Sequence, residues 1–294
     1  TDYTFTVWAK DGTGNLSKQG PVLTLKTPDS SYPMWPEGAA LTASDVTPHS
    51  LTLSWQAATD DVTVVHHHVF QNGVKIGTLD GQATTFDVTG LSPWTDYDFA
   101  VRAEDQAGNM SEADLSLTVK TTDEVAPSWA AGELVASDIT PYALTLTWPE
   151  ATDDVGIHAY SVALDGAELI NLAGDVTSLE VVDLSPWTEY AFSVTAFDAA
   201  GNPSAGGPSL SVKTTDTVKP TWPDDAALVA SDITATSMTL TWTEAVDDVE
   251  VVAYRIFADG QEMTKVMAPS TTQNITKLMS GHLYLLEVKA VDAA

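Results

Sequence analysis

Pairs of aspartates that recur along the chain are the residues best suited to chemistry. Three pairs follow short alternating segments: Asp60-Asp61, Asp153-Asp154 and Asp247-Asp248. A single aspartate follows each pair further along the chain, and these residues are Asp105, Asp198 and Asp292. Another single aspartate precedes each pair, and these residues are Asp29, Asp123 and Asp216. Carboxylates on flexible loops are the ligands that Ca²⁺ prefers, at about six to eight oxygens per ion. The aspartates are therefore candidate calcium ligands, and Asx turns on a solvated acidic surface are the alternative interpretation.

The composition argues against several other kinds of chemistry. The 294 residues include 41 acidic and 12 basic ones, with a formal net charge of −29 and no cysteine. Such a polyanion is repelled by nucleic acids and by anionic membranes, and thiolate catalysis and cysteine-ligated zinc are excluded. The sequence has no Gly-x-Ser-x-Gly elbow, no phosphate-binding glycine loop and no apolar run of the ~20 residues that span a membrane. We predict that the chain is not an enzyme, binds no nucleic acid and inserts no segment into a membrane.

A repeat of about 93 residues positions these aspartates. Trp55, Trp148 and Trp242 lie 93 and 94 positions apart, and each ends a segment in which apolar residues alternate with Thr or Ser. This period of two is typical of a half-buried β-strand. Further along each repeat come Asn72-Gly73, Asp165-Gly166 and Asp259-Gly260, pairs that tolerate the positive φ angles of a type I′ hairpin turn.

A second landmark is the segment from Leu91 to Tyr97, Leu-Ser-Pro-Trp-Thr-Asp-Tyr, which recurs from Leu184 to Tyr190 and more weakly from Leu278 to Tyr284. A tyrosine just inside a strand, after a corner rich in Pro and Gly, indicates a tyrosine corner. The ring is expected to fill the core while the hydroxyl bonds back to the corner backbone. The predicted corner residues are Tyr97, Tyr190 and Tyr284.

With the strand tryptophan, the Asp-Gly hairpin, the tyrosine corner and the Ala-Gly-Asn loop, each repeat resembles a bacterial-type fibronectin type III domain of an extracellular or cell-surface protein. The resemblance implies an all-β fold of tandem seven-stranded immunoglobulin-like sandwiches arranged end to end. We expect a segment of a longer repetitive polypeptide. The predicted domains are a partial domain with only the last two strands (1–27), repeat 1 (28–122), repeat 2 (123–215), and repeat 3 without its last strand (216–294).

The resemblance also implies where the aspartates meet. In the family's topology the loop after the second strand, the loop after the sixth strand and the incoming linker lie at one pole of each domain. Four carboxylates would gather there and repel one another unless a cation joined them. Calcium at each domain junction would then stiffen the linker.

Aromatic residues and a histidine run allow both structural and ligand-binding interpretations. Each linker carries a tryptophan shortly after a proline, and these residues are Trp35, Trp129 and Trp222. Packing at the domain junction is favoured over ligand stacking because the tryptophan recurs in every linker. The run of His66, His67 and His68 lies within a predicted strand, where neighbouring side chains point to opposite faces. His67 takes the place of a core tyrosine, so a zinc site is disfavoured.

The leading functional prediction is a non-catalytic array in an extracellular stalk, adhesin shaft or fibre, stiffened by Ca²⁺ at the domain junctions. The alternative is a spacer or accessory module of a secreted polysaccharide-degrading enzyme. The predicted location is extracellular or at the cell surface. The predicted partners are other copies of the same repeat or chain, with a cell-surface or glycan ligand as a further candidate.

Overall fold

The chain is built from β-strands that pair with their neighbours in an antiparallel manner. The computed structural model describes residues 2–294, so Thr1 of the predicted partial domain lies outside the described residues. These residues form no helix, and hence none that could cross a membrane. The chain divides into one unit that ends at Val125 and a second, Ala126–Ala294, and each is described by itself.

The first unit contains an N-terminal hairpin and the two sheets of repeat 1. In the hairpin, β1 pairs with β2 and the side chains of both strands are exposed. Repeat 1 has a three-stranded sheet in the order β3-β4-β7 and a four-stranded sheet in the order β6-β5-β8-β9. The strands of this unit are β1 (Asp2–Thr6), β2 (Val22–Lys26), β3 (Thr42–Ser44), β4 (Ser50–Ser54), β5 (Val64–Gln71), β6 (Val74–Asp80), β7 (Thr85–Thr89), β8 (Asp96–Asp105) and β9 (Leu115–Lys120).

In the second unit, repeat 2 has the same two sheets, in the orders β11-β12-β16 and β15-β14-β17-β18, with a short extra pair, β10 and β13. Its strands are β10 (Ser128–Trp129), β11 (Val135–Ser137), β12 (Leu144–Thr147), β13 (Ala151–Thr152), β14 (Ile157–Leu164), β15 (Ala167–Ala173), β16 (Ser178–Val181), β17 (Glu189–Asp198) and β18 (Ser209–Lys213).

Repeat 3 has two three-stranded sheets, in the orders β19-β20-β23 and β22-β21-β24. Its strands are β19 (Leu228–Ser231), β20 (Ser237–Trp242), β21 (Val251–Ala258), β22 (Gln261–Met267), β23 (Thr272–Thr276) and β24 (Leu286–Asp292). The all-β fold predicted from the sequence is confirmed.

Each repeat buries its own apolar core between its two sheets. The alternation in β4, where Leu51 and Leu53 are buried between half-buried polar neighbours, is what the period of two predicts. In repeat 1 the core joins Leu53 and Trp55 to Phe99 of β8. Equivalent clusters form in repeats 2 and 3 around Trp148 and Trp242.

The predicted hairpin turns are confirmed by backbone angles. Asn72 and Gly73 have φ values of 49° and 78°, and the Asp-Gly pairs of repeats 2 and 3 have closely similar values. The turn side chain also reaches the sixth strand, because the Asn72 side-chain oxygen accepts a hydrogen bond from the amide of Asp98 at 2.9 Å.

The edge strand that follows this turn carries one extra residue in every repeat. The pairing of β5 with β6 shifts between Val69 and Phe70, which leaves Ile76 without a partner position. The same shift occurs in repeats 2 and 3, and the extra residues there are Leu169 and Met263. A bulge of this kind bends and twists an edge strand locally.

Candidate functional site

The tyrosine residues of the corners make the same contact in all three repeats. The hydroxyl of Tyr97 accepts a hydrogen bond from the amide of Ser92 at 2.9 Å. Tyr190 and Tyr284 accept equivalent bonds at 2.8 Å from residues five positions earlier. This backbone contact defines a tyrosine corner and fixes the loop that enters the sixth strand.

A tryptophan in an unusual backbone conformation lies inside two of these corners. Trp94 and Trp187 both have a φ of 47°, a region that bulky residues rarely adopt. The amino group of Lys120 lies 4.2 Å from the centre of the Trp94 ring, and that of Lys213 lies 3.7 Å from the Trp187 ring. Sequence reasoning did not detect this pairing. One signal was available, because Gly281 occupies the matching position of repeat 3 and has a φ of 74°.

The linker tryptophans lie on the cores of the repeats that they precede. Trp35 donates its indole hydrogen to the carbonyl of Ala113 at 2.9 Å and stacks on His67 at 5.5 Å between ring centres. Trp129 bonds to the carbonyl of Gly206 at 2.8 Å. Trp222 packs 6.0 Å from the ring of Tyr254. The indoles of Trp35 and Trp129 therefore close one end of their own repeats, whereas Trp222 remains 37% exposed.

The linker aspartate and the aspartate pair of repeat 1 form one compact group. Carboxylate oxygens of Asp29, Asp60 and Asp61 all lie within 4.8 Å of one another. The amide of Ser31 donates to Asp29 at 3.0 Å, and the Ser31 hydroxyl lies within hydrogen-bonding distance of both Asp29 and Asp61, which share its single hydrogen. The amide of Val62 donates to Asp60 at 3.0 Å. The Oδ1 atoms of Asp29 and Asp60 are thus held by backbone amides in the manner of Asx turns.

The second carboxylate oxygen of two of these aspartates has no donor among the described residues. The Oδ2 atoms of Asp29 and Asp60 are buried and lack a hydrogen-bond partner among the described residues. A cleft of about 690 Å³ beside Asp29 and Asp61 connects the group to solvent. Anionic oxygens that are close together, buried and without donors are unfavourable unless a cation compensates their charge.

The same arrangement recurs in repeat 3. Carboxylate oxygens of Asp216, Asp247 and Asp248 lie within 4.8 Å of one another. The amides of Val218 and Val249 donate to the Oδ1 atoms of Asp216 and Asp247 at 2.9 and 3.0 Å. The Oδ2 atoms of these two aspartates are buried and have no hydrogen-bond partner in residues 2–294. The geometry is therefore a property of the repeat and not of one loop.

The corresponding aspartates of repeat 2 fall in different units. Asp123 lies near the end of the first unit, where it is 8% exposed and accepts a bond from the amide of Val125 at 3.0 Å. Asp153 and Asp154 lie in the second unit, where the amide of Val155 donates to Asp153 at 2.9 Å.

The aspartate after the sixth strand does not join these groups. Asp105 is 1% exposed, and its carboxylate accepts bonds from the amides of Ala107 and Asn109 and from the Asn109 side chain, each at 2.8 Å. Burial alone would raise the pKa of Asp105, but these hydrogen bonds hold it below its usual value. The predicted four-carboxylate set is therefore a three-carboxylate group in repeats 1 and 3.

Asp198 and Asp292 likewise accept hydrogen bonds from residues that follow them in their own loops. Asp198 accepts bonds from the amide and side chain of Asn202 at 2.9 and 2.8 Å. Asp292 accepts a bond from the amide of Ala294 at 3.1 Å. For Asp105 and Asp198 the Asp-x-x-Gly-Asn spacing is the signal for the closed loop, because the asparagine four positions on returns to the carboxylate.

Comparisons with known proteins agree with this architecture. Residues 36–119, 126–213 and 220–294 each match the family described as fibronectin type III domain. The chain is 34% identical over 284 residues to exoglucanase B of Cellulomonas fimi and 37% identical over 292 residues to exoglucanase A of the same organism. It is 38% identical over 196 residues to chitinase A1 of Niallia circulans.

These alignments cover much of this chain and little of each relative. They include 91%, 93% and 65% of the chain but 25%, 32% and 27% of exoglucanase B, exoglucanase A and chitinase A1. The chain therefore corresponds to about a quarter to a third of each relative. Because the three family matches together span most of its residues, the chain is a tandem array that belongs to the fibronectin type III family.

Proposed function

We propose that the chain is a non-catalytic spacer within an extracellular bacterial polysaccharide-degrading enzyme. The observation that carries this proposal is its similarity, at 34–38% identity, to proteins named as exoglucanases and a chitinase. The array corresponds to a minor part of each, so we assign hydrolysis to other regions of such a protein. The relatives favour this role over the stalk, adhesin shaft or fibre predicted from the sequence.

Two properties of the array support a spacer. Each repeat has its own core, so an array can be lengthened by the addition of whole domains, and the distance between the regions that it joins increases accordingly. The net charge of −29 keeps the chain soluble and repels other anionic chains. An extracellular location suits an enzyme whose other regions act on an insoluble polymer.

The test is to place the full chain between a cellulase catalytic domain and a cellulose-binding domain. Hydrolysis of crystalline cellulose should exceed that of an unlinked mixture of the two domains several-fold, while hydrolysis of a soluble oligosaccharide should be unchanged. A matched control joins the same domains by a flexible glycine-serine linker of a few residues. The isolated chain should neither hydrolyse nor bind cellulose or chitin, and retention on either polymer would replace the spacer role with a binding role.

We propose, as a second function, that Ca²⁺ binds at the three-carboxylate groups of repeats 1 and 3 and stiffens the linker segments before these repeats. This proposal is supported by the close approach of the oxygens and by the buried Oδ2 atoms that have no donor among the described residues. Three carboxylates leave coordination positions for backbone carbonyls and water, which Ca²⁺ accepts at about 2.3–2.6 Å. Mg²⁺ fits less well because it requires near-ideal octahedral geometry.

Thermal unfolding of the full chain in EDTA and in millimolar CaCl₂ tests the calcium proposal. A ligand present at about 100 times its Kd stabilises the folded state by ~2.7 kcal/mol, so the melting temperature should rise by several degrees. The rise should be reduced by Asp60→Asn and by Asp247→Asn and abolished when both are present. Asp224→Asn is the matched control, since it removes one exposed charge in repeat 3 away from the group.

Three results would contradict calcium binding. One is an equal rise with MgCl₂ or with NaCl of the same ionic strength. Another is an undiminished rise in the double variant, and the third is the absence of bound ⁴⁵Ca²⁺ after equilibrium dialysis of the EDTA-treated chain. Each of these outcomes leaves the spacer test unaffected, because that test does not depend on the metal.

A further inference from the structure

Repeat 1 differs from the other two repeats at the centre of its core. His67 lies on β5 with no exposed surface and pairs with Ala103 of β8. The matching positions of repeats 2 and 3 hold Tyr160 and Tyr254, which are 0% and 1% exposed. Of the three described repeats, only repeat 1 therefore has at this core position a side chain that can ionise near neutral pH.

The hydroxyl groups of the two tyrosines are hydrogen-bonded, whereas one ring nitrogen of the histidine has no hydrogen-bond partner among the described residues. The hydroxyls of Tyr160 and Tyr254 accept hydrogen bonds from the amides of Ala151 and Ala245 at 2.9 and 3.2 Å. His67 bonds through Nδ1 to the carbonyl of Ala83 at 2.9 Å. Because a carbonyl can only accept, Nδ1 carries the hydrogen and Nε2 is the unprotonated nitrogen. Nε2 is buried and has no hydrogen-bond partner in the described part of the chain.

The surroundings of the ring disfavour a positive charge on Nε2. Trp35 stacks on the ring and Trp55 meets its edge, with ring centres 5.5 and 5.8 Å away. These contacts from the linker and from the end of β4 are uncharged. They would attract an imidazolium weakly, but they provide no acceptor for its second hydrogen.

Charged residues on the neighbouring strands do not supply a close partner. Asp80 on β6 favours protonation of His67 through its charge, whereas His66 and His68 on the same strand oppose it. On β8, Glu104 is engaged by His68 at 2.7 Å and Asp105 by its own loop. Burial is the largest influence and lowers the pKa of His67 below its usual 6.5, and the bond to Ala83 offsets this in part.

We propose that repeat 1 is the acid-labile unit of the array, which opens more readily at mildly acidic pH than repeats 2 and 3 do, because His67 takes up a proton only when the core is exposed. The unfolded form binds this proton more tightly than the folded form. Stability is therefore unaffected well above pH 6.5 and is lost as the pH falls through that value. The folding constant of repeat 1 should fall up to tenfold per pH unit until the folded pKa is reached.

Hydrogen exchange of the full chain at pH 7.5 and pH 5.0, in EDTA and corrected for intrinsic rates, tests this proposal. Protection factors of β5 and β8 should fall about tenfold or more, while those of β14, β17 and β21 change little. Because the folded-state pKa of Asp105 is lowered, its contribution to stability is lost only below the ordinary aspartate value of 3.8, so protonation of that residue does not contribute between pH 7.5 and 5.0.

Variants assign the response to one residue. His67→Tyr should restore the protection of repeat 1 at pH 5.0, whereas the double variant with His66→Gln and His68→Gln should retain the loss. Tyr160→His should make the protection factors of repeat 2 fall at pH 5.0 as well. If this variant does not fold at neutral pH, the result for His67→Tyr alone tests the proposal. An equal fall in all repeats, or a fall that persists in His67→Tyr, would overturn the proposal.

Discussion

The corners of repeats 2 and 3 reach the same hydrogen bond by different means. In repeat 2, Trp187 occupies the left-handed position and Lys213 lies over its ring. In repeat 3, Gly281 occupies that position without strain, and the ring of His282 packs against Tyr284 at 4.5 Å between ring centres. The tyrosine bond to the backbone is thus the conserved geometry within this molecule, while the residue that turns the chain can vary if something compensates for its strain.

The largest expected loss of stability comes from removal of the tyrosine hydrogen bond that both corners share. Tyr190→Phe in repeat 2 and Tyr284→Phe in repeat 3 leave a corner amide without its acceptor, which should destabilise each repeat by about 2 kcal/mol. Hydrogen exchange of β17 and of β24 reports on the two repeats separately. The exposed Tyr142 gives the matched control, Tyr142→Phe, which should change neither. Unequal losses would show that the corners are less alike than their geometry indicates.

An intermediate effect is expected from a side chain at the glycine corner. Gly281→Ala places a Cβ at a φ of 74°, where an ordinary L-residue is destabilised by roughly 1–2 kcal/mol. Protection of β24 should fall accordingly. Gly281→Asn is the control and should be tolerated better, because asparagine adopts this conformation more readily. Full tolerance of alanine would mean that the corner relaxes and that tryptophan needs no compensation in repeat 2.

The smallest effect concerns the lysine that covers the tryptophan. Lys213→Met keeps the apolar stem but removes the charge over the Trp187 ring, and should lower the stability of repeat 2 by about 0.5–1 kcal/mol. Lys213→Arg should preserve most of it. The exposed Lys219 gives a further control, Lys219→Met. A loss of equal size in that control would assign the effect to net charge and not to the ring contact.

Features that follow from local patterns were predictable from the sequence. The alternation before Trp55, the Asn72-Gly73 turn and the tyrosine of each corner are local patterns, and β4, the hairpin and the corner bond match them. The core position of His67 also followed, because neighbouring residues of a strand face opposite sides.

Features that depend on distant partners could not be derived in this way. The sequence predicted that Asp105 would join the three-carboxylate group, but Asn109 holds the Asp105 carboxylate in a closed loop. The tautomer of His67, and hence its unpartnered nitrogen, depends on the carbonyl of Ala83, and the contact of the Trp94 ring with Lys120 depends on a residue of β9 that lies 26 positions away. Spacing in the sequence indicates which residues are near a site, whereas the direction of each polar atom is determined by the packed structure.

The extra residue in each edge strand affects whether a second chain can pair with that strand. A regular edge strand presents a row of unpaired amides and carbonyls, and a strand of another molecule can pair with it. Ile76, Leu169 and Met263 interrupt that row at the same place in every repeat. Continuous pairing of two copies of the chain along these edge strands is therefore disfavoured, and copies can stay separate molecules at high concentration.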